Sequence, residues 1–290
     1  EAWALLDAAT LYWAALRDKE NCWLALSRAT KVVRDQEQKI LVCDRLFQIA
    51  PTLERLEPAL EMLNALLADD KVGHLIFKAK YHLLRNDVAA ASAILDDPMT
   101  INNGNASYRA IALHLKADIA AIAENWEEER ELLEESYRLR QRPTVLRKLL
   151  TVLYKLNDNE RAFKVCQIIE NLGIRDEYVT QIKASSARNL GRYDDSEGAW
   201  KLLLRKSSKR ADYAFALAEV LTRQRKDAEA LKVLSPFARN NDQLNPSCLA
   251  LSCDIEEHRG KPEVAFSLLN ACYARIQDEV PLLLKHIQLG

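Results

Sequence analysis

Between Pro143 and Leu156 the apolar residues Val145, Leu146, Leu149, Leu150, Leu153 and Leu156 recur at three- and four-residue steps, which predicts one amphipathic helix. A polar step at Asn157-Asp158 follows. Beyond it Ala162, Phe163, Val165, Cys166, Ile168 and Ile169 predict a second helix from Glu160 to Asn171. The same succession returns three times. Turns at Leu190-Gly191-Arg192, Gln224-Arg225-Lys226 and Arg259-Gly260-Lys261 each lead into a polar, acidic helix start and then a small residue. Those small residues, Ala162, Ser196, Ala230 and Ala265, are separated by 34, 34 and 35 positions. Four positions beyond each stands Cys166, Trp200, Leu234 or Leu269, on the same helical face. Gly191 and Gly260 fall where a first helix must stop, and a left-handed backbone there is cheap only for glycine. One pair of such short helices cannot bury both apolar faces, so neighbouring pairs must stack.

This repeated pattern resembles the tetratricopeptide repeat family. It fits 143–173, 177–207, 211–242 and 246–278, so the best-matching repeats cover 143–278. Upstream, over 6–142, the repeats are degenerate. Leu83-Leu84-Arg85-Asn86-Asp87 precedes a small Ala90, and Glu124-Asn125-Trp126 precedes Glu129, 39 residues later. The excess is assigned to an inserted loop near 98–105, rich in turn-forming residues. Ala59 and Ala25 mark two further second helices, with Pro51 and Pro58 distorting one of them. The resemblance implies an all-α fold: a right-handed α–α superhelix of about eight helix pairs, a single solenoid over 1–290, closed by a capping helix from Pro281 onward.

Composition agrees. Only 7 glycines and 8 prolines leave room for few or short turns, and 49% hydrophobic with 29% charged residues supports a buried core. Lys plus Arg at 41 against Asp plus Glu at 42 gives a net charge of −1, so no global field draws the chain to nucleic acid or an anionic membrane. No apolar run is long enough to span a bilayer. GxGxxG, P-loop, GxSxG and HExxH motifs are absent, so neither a cofactor nor an enzymatic activity is expected. The six cysteines lie in helical patterns without CxxC spacing and are expected to be reduced thiols. With no signal-like segment at Glu1-Ala2-Trp3, a cytoplasmic location is expected; a periplasmic one is the alternative, requiring an upstream signal already removed.

The candidates for chemistry are sparse. His114 with Asp118, and Asp254 with His258, are i,i+4 pairs able to offer two metal ligands each, with His82 a third for the first pair. Such pairs are common on ordinary helix surfaces, so no metal is expected. Trp3, Tyr12, Trp13 and Trp23 are expected to fill the packing between the first helices. The acidic run Trp126-Glu127-Glu128-Glu129-Arg130-Glu131 starts a helix, where carboxylates suit the dipole, and is expected to be solvated. Two basic clusters, Arg138 to Lys148 and Arg205 to Arg210, lack the interleaved aromatic residues of a nucleic-acid surface.

By resemblance, the first helix of each pair lines a concave groove where partners bind. The repeat spacing places Arg147, Thr151, Tyr154 and Lys155 there, then Tyr178, Gln181, Ser185, Arg188 and Asn189, then Phe215, Glu219, Thr222 and Arg223. Arg147, Lys155, Arg188 and Arg223 are expected to form one electropositive strip suited to an acidic or carboxylate-bearing segment, with Tyr154, Tyr178 and Phe215 giving apolar purchase. The lysine and two asparagines with which some tetratricopeptide domains clamp chaperone tails have no counterpart here: Arg147, Thr151, Ile182, Asp212 and Ala216 stand at the matching places. The expected function is therefore a non-catalytic protein-interaction scaffold holding a peptide or helix of another protein, without membrane insertion. The alternative is the repeat portion of a larger bacterial polysaccharide-export or envelope assembly protein, or of a regulator with a separate effector domain. A pentatricopeptide-type RNA reader would need a repeated polar code, which residues 147, 181 and 215 do not give.

Overall fold

The computed structural model describes residues 1–97, 105–239 and 243–289, and among these every regular element is helical. The chain divides into two compact units, Glu1–Val152 and Leu153–Gly290. The first contains α1 (Ala2–Leu11), α2 (Lys19–Val32), α3 (Gln36–Ile49), α4 (Leu56–Leu66), α5 (Lys71–Leu84), α6 (Val88–Leu95), α7 (Ala106–Ile122), α8 (Trp126–Leu139) and most of α9 (Pro143–Lys155). The second holds α10 (Asn159–Asn171), α11 (Glu177–Asn189), α12 (Tyr193–Lys206), α13 (Ala211–Arg223), α14 (Asp227–Ala238), α15 (Pro246–His258), α16 (Pro262–Ala271) and α17 (Val280–Leu289). Among the described residues α1 to α8 pair off into four hairpins in the first unit and α11 to α16 into three in the second, and α17 packs on α16 as the expected terminal helix. The inserted loop expected near 98–105 lies outside the described residues except for Asn105, which caps α7 by accepting a hydrogen bond from the Tyr108 amide at 2.9 Å.

One local device recurs in eight helix–helix turns among the described residues. One or two residues past the end of the first helix the backbone is left-handed: Arg17, Glu54, Asn86, Glu124, Asn157, Gly191, Arg225 and Gly260. The next residue is already the N-cap of the second helix. In the Gly191 turn the Arg192 amide donates to the Ala187 carbonyl at 2.8 Å and the Gly191 amide to Arg188 at 3.0 Å, the paired bonds of a Schellman turn. Five positions past every left-handed residue comes a side chain buried in the hairpin: Cys22, Ala59, Ala91, Glu129, Ala162, Ser196, Ala230 and Ala265, none more than 6% exposed. A small group there allows two helices close approach; Ser196 also donates to the Ala184 carbonyl across the hairpin at 2.7 Å.

The register read from the sequence holds for the four C-terminal hairpins and for Ala59 and Glu129. It is corrected at two places. Ala91, not Ala90, occupies the buried position, and Cys22 takes the place assigned to Ala25, which is buried almost one turn further along α2. The cause is visible in the turns: Asn86 and Arg17 carry the left-handed conformation without a glycine to advertise it, and a π-helical turn at Tyr12–Leu16 adds residues before Arg17.

Each unit has its own apolar interior. In the first, Phe47 and Phe77 stack at 6.4 Å; in the second, Trp200 packs against Tyr213 at 5.8 Å. The expectation for the N-terminal aromatics is corrected in part. Trp23 is buried beneath the Arg55 guanidinium and Tyr12 and Trp13 pack against the core, but Trp3 is 57% exposed. The acidic run does start α8, yet Glu129 within it is buried rather than solvated, because it falls on the small-residue position of its hairpin. All six cysteines are free thiols and buried. Four of them donate to carbonyls of a neighbouring helix, as Cys166 does to Val179 at 3.5 Å.

Candidate binding site

The first helices of the first unit carry a polar ladder. Asp44 on α3, Lys80 on α5, His114 on α7 and Lys148 on α9 follow one another at 36, 34 and 34 positions, one from the first helix of each successive repeat. Between them lies a recess of about 370 Å³, lined also by Gln48, Ile111, Asp118 and Arg142. Asp44 is its centre. Lys80 donates to one carboxylate oxygen at 2.7 Å and Arg142 to the other at 2.8 Å. Burial opposes ionisation, but the two cations outweigh it and hold the carboxyl at about 2, below its ordinary 3.8. Asp118 is met by Lys148. Burial, and then the Lys148 charge, lower His114 to about 4, so its imidazole is neutral near pH 7.

A second recess of about 540 Å³ shares Asp44, Gln48, Arg142 and Thr144 with the first and extends to Trp13, Leu41, Arg45 and Arg140. Arg140 pairs with Glu37 at 2.7 Å. Among the described residues no carboxylate lies within ion-pairing distance of Arg45. The combined groove thus carries Arg45, Lys80, Arg140, Arg142 and Lys148 against Glu37, Asp44 and Asp118. Its balance is positive, with one indole ring at its end.

The sequence reading did not find this site, although the 34-residue period that locates it was available. Applied upstream of residue 143, that period aligns Lys148 with His114 and Lys80, while Asp44 stands two positions before the next step, which falls on Leu46. In the second unit the same step leads to Ile182 and Ala216, both buried, so the ladder turns apolar there.

The residues expected to bind are divided between the units. Arg147 and Thr151 sit on α9 in the first unit, Thr151 donating to the Arg147 carbonyl at 3.1 Å. In the second, Tyr154, at 43% exposure, and Lys155 lie at the end of α9. Gln181 and Arg188 on α11 both reach across to α13. Gln181 donates to the Tyr213 hydroxyl, which itself donates to Glu177, and Arg188 pairs with Glu219. Asn189 donates to the Asn159 side chain at 3.0 Å. Tyr178 and Ser185 are half-buried, Phe215 packs partly against the core, and Arg223 is exposed. The charge of Arg188 is therefore met by a carboxylate of the next first helix rather than offered bare.

The metal candidates also have other partners: Asp118 holds Lys148, Asp254 holds Lys285, and His82 faces Asp87 at 3.1 Å. Among the described residues no three metal-ligating side chains come together, and no helix is long and apolar enough to cross a membrane.

Helical hairpins with a left-handed turn and a small buried residue at each step make an α-helical repeat, and solved structures share the fold. YrrB, a TPR protein with an unusual peptide-binding site, superposes with a TM-score of 0.52 over 69% of this chain and 97% of its own, at 17% identity. PilF of Pseudomonas aeruginosa matches at 0.50 over 79% of this chain and 97% of its own, at 16% identity. A chain of the Naa15/Naa10 structure bound to HypK-THB matches at 0.57 over 85% of this chain, at 11% identity, and only 38% of that longer chain is spanned. No family model and no curated protein matches the sequence.

Proposed function

We propose that this protein is a non-catalytic interaction scaffold that holds a peptide or helical segment of a partner on the faces of its first helices. The observation that carries this reading is the polar recess of the first unit, built from one residue per repeat at Asp44, Lys80, His114 and Lys148. A repeat scaffold offers extended surface rather than an enclosed pocket, which favours protein ligands. The likeness to YrrB, a peptide-binding TPR protein, supports it. The positive balance of the groove favours a partner segment bearing carboxylates. Tyr154, Lys155, Tyr178, Ser185 and Arg223 are proposed as a separate contact strip in the second unit, with Arg188 available only to a ligand that displaces Glu219.

Affinity selection from an acidic-peptide library tests the proposal. Selected peptides should lose at least about tenfold in affinity to a Lys80→Glu, Lys148→Glu double variant, which reverses two of the groove's cations. Peptides that ignore those changes but respond to Tyr154→Ala and Arg223→Glu would move the site to the second unit. Peptides that ignore all four would end the proposal. The buried reduced thiols favour the cytoplasm as the compartment. A second reading, the repeat portion of a larger assembly, draws on the match that spans 38% of a chain in the Naa15/Naa10 structure.

A further inference from the structure

At the C-terminal ends of the second helices α10 and α12 and the start of α11, all in the second unit, apolar side chains and cations share a surface. A recess of about 310 Å³ opens there, with Ile174, Val179 and Leu202 as its apolar lining and Arg175 and Lys206 as its cations. Ile174 and Leu202 are exposed, as are Ile168 and Leu172 one turn apart on α10; the four range from 36% to 54%. Arg205 and Lys209 extend the positive charge beyond Lys206, and all four cations are exposed. Among the described residues none has a carboxylate within ion-pairing distance. Two acids, Glu170 and Asp176, also line the recess, and both, like Glu177, are committed to other partners. Glu170 holds Lys183 at 2.6 Å, Glu177 accepts from Tyr213, and Asp176 caps α11 by accepting from the Tyr178 amide at 2.8 Å.

Cations at the end of a helix are expected from its dipole, which accounts for Arg205 and Lys206. It does not account for isoleucines and leucines left in water beside them. An apolar recess ringed by unmatched positive charge is complementary to a helix with leucine-like residues on one face and carboxylates on the other. RNA is disfavoured because no aromatic ring lines the recess to stack a base. A lipid surface is disfavoured because it offers a broad plane, whereas a recess takes a protruding side chain.

We propose that this surface is a second docking site, independent of the groove, for an acidic amphipathic helix of a partner protein. The test uses the full chain and a fluorescein-labelled helical peptide with leucines at i, i+3, i+4 and i+7 and glutamates on its opposite face, followed by fluorescence anisotropy. The peptide should bind, bind less as salt is raised, and fail when its glutamates are glutamines. A Leu202→Ser, Lys206→Glu protein should weaken binding at least about tenfold, as removal of a central contact does. Arg175→Glu, a surface charge change with no packing cost, should weaken it in the same direction and guards against misfolding of the double variant. Lys80→Glu, in the groove of the first unit, should leave it unchanged. Absence of binding overturns the proposal, as does binding unaffected by both surface variants. Loss of binding only in Lys80→Glu would place the peptide in the groove and also overturn it. So would capture of phosphatidylserine vesicles or oligouridine by this surface when the peptide is not captured.

Discussion

At the scale of single residues, the hairpin turn sets the strongest local demand. Six of its eight left-handed positions hold a side chain, at a cost of about 1–2 kcal/mol each relative to glycine in that conformation. Glycine gives back roughly 0.5–1 kcal/mol through the entropy of the unfolded chain. Arg225→Gly should therefore stabilise by about 0.5–1 kcal/mol, read from urea unfolding; a loss of stability would mean the arginine side chain contributes more than its backbone costs. Two other glycines separate crowding from conformation. A methyl on Gly73 would meet the Tyr108 hydroxyl at 2.3 Å, whose oxygen is fixed by donating to Asp70 at 2.6 Å. Around Gly198, on α12, nothing lies within 4 Å. Gly73→Ala should cost about 1–3 kcal/mol by overpacking, while Gly198→Ala should gain roughly 0.5–1 kcal/mol of helix propensity. Equal melting shifts for the two would contradict this packing. Gly191 and Gly260 made their turns legible in the sequence; Arg17 and Asn86 concealed theirs, and the register slipped there.

At the scale of helices, Asp44 ties α3 to α5 through Lys80 and to the segment entering α9 through Arg142. Its folded value of about 2 lies below the ordinary 3.8, so the stability it confers is complete above about pH 4–5 and is lost as pH falls toward 2. Asp44→Asn should cost about 1.5–3 kcal/mol at neutral pH, the range for hydrogen bonds to charged groups, and should flatten the decline of stability between pH 4 and 2. A variant retaining the full acid-limb slope would show that other carboxylates govern it. The helical stripes themselves were legible because burial imposes a period on apolar residues. The recess was not, because its members come singly from helices more than thirty residues apart, and a lone Asp44 or Lys80 reads as ordinary surface. Glu219 was placed correctly on its first helix, but spacing along one helix could not show that Arg188 would reach it from another.

At the scale of the whole molecule, the thiols report on both compact units. Cys22 and Cys43 lie in the first, and Cys166, Cys248, Cys253 and Cys272 in the second. Burial raises Cys248 to about 11 and Cys166 and Cys253 to about 12. Thiolate is therefore scarce at neutral pH and alkylation must await local opening. Reduction should leave the melting temperature unchanged, and pulsed iodoacetamide labelling followed by mass spectrometry should find all six protected in the native state. A fall of several degrees on reduction would reveal a disulfide worth about 2–4 kcal/mol.

The fixed step from left-handed residue to buried small side chain also bears on how such a chain can change its length. Distances between the left-handed residues of successive hairpin turns vary, at 37, 32, 38, 33, 34, 34 and 35 positions, while the five-residue step inside each turn never does. All the slack resides in the helices and in the links leading out of a hairpin. Each hairpin behaves as a cassette with a rigid hinge, and genetic insertions, affinity tags or cleavage sites belong in the outgoing links. A single residue added between Gly191 and Ser196 would rotate α12 by about 100° and turn its apolar stripe out of the core.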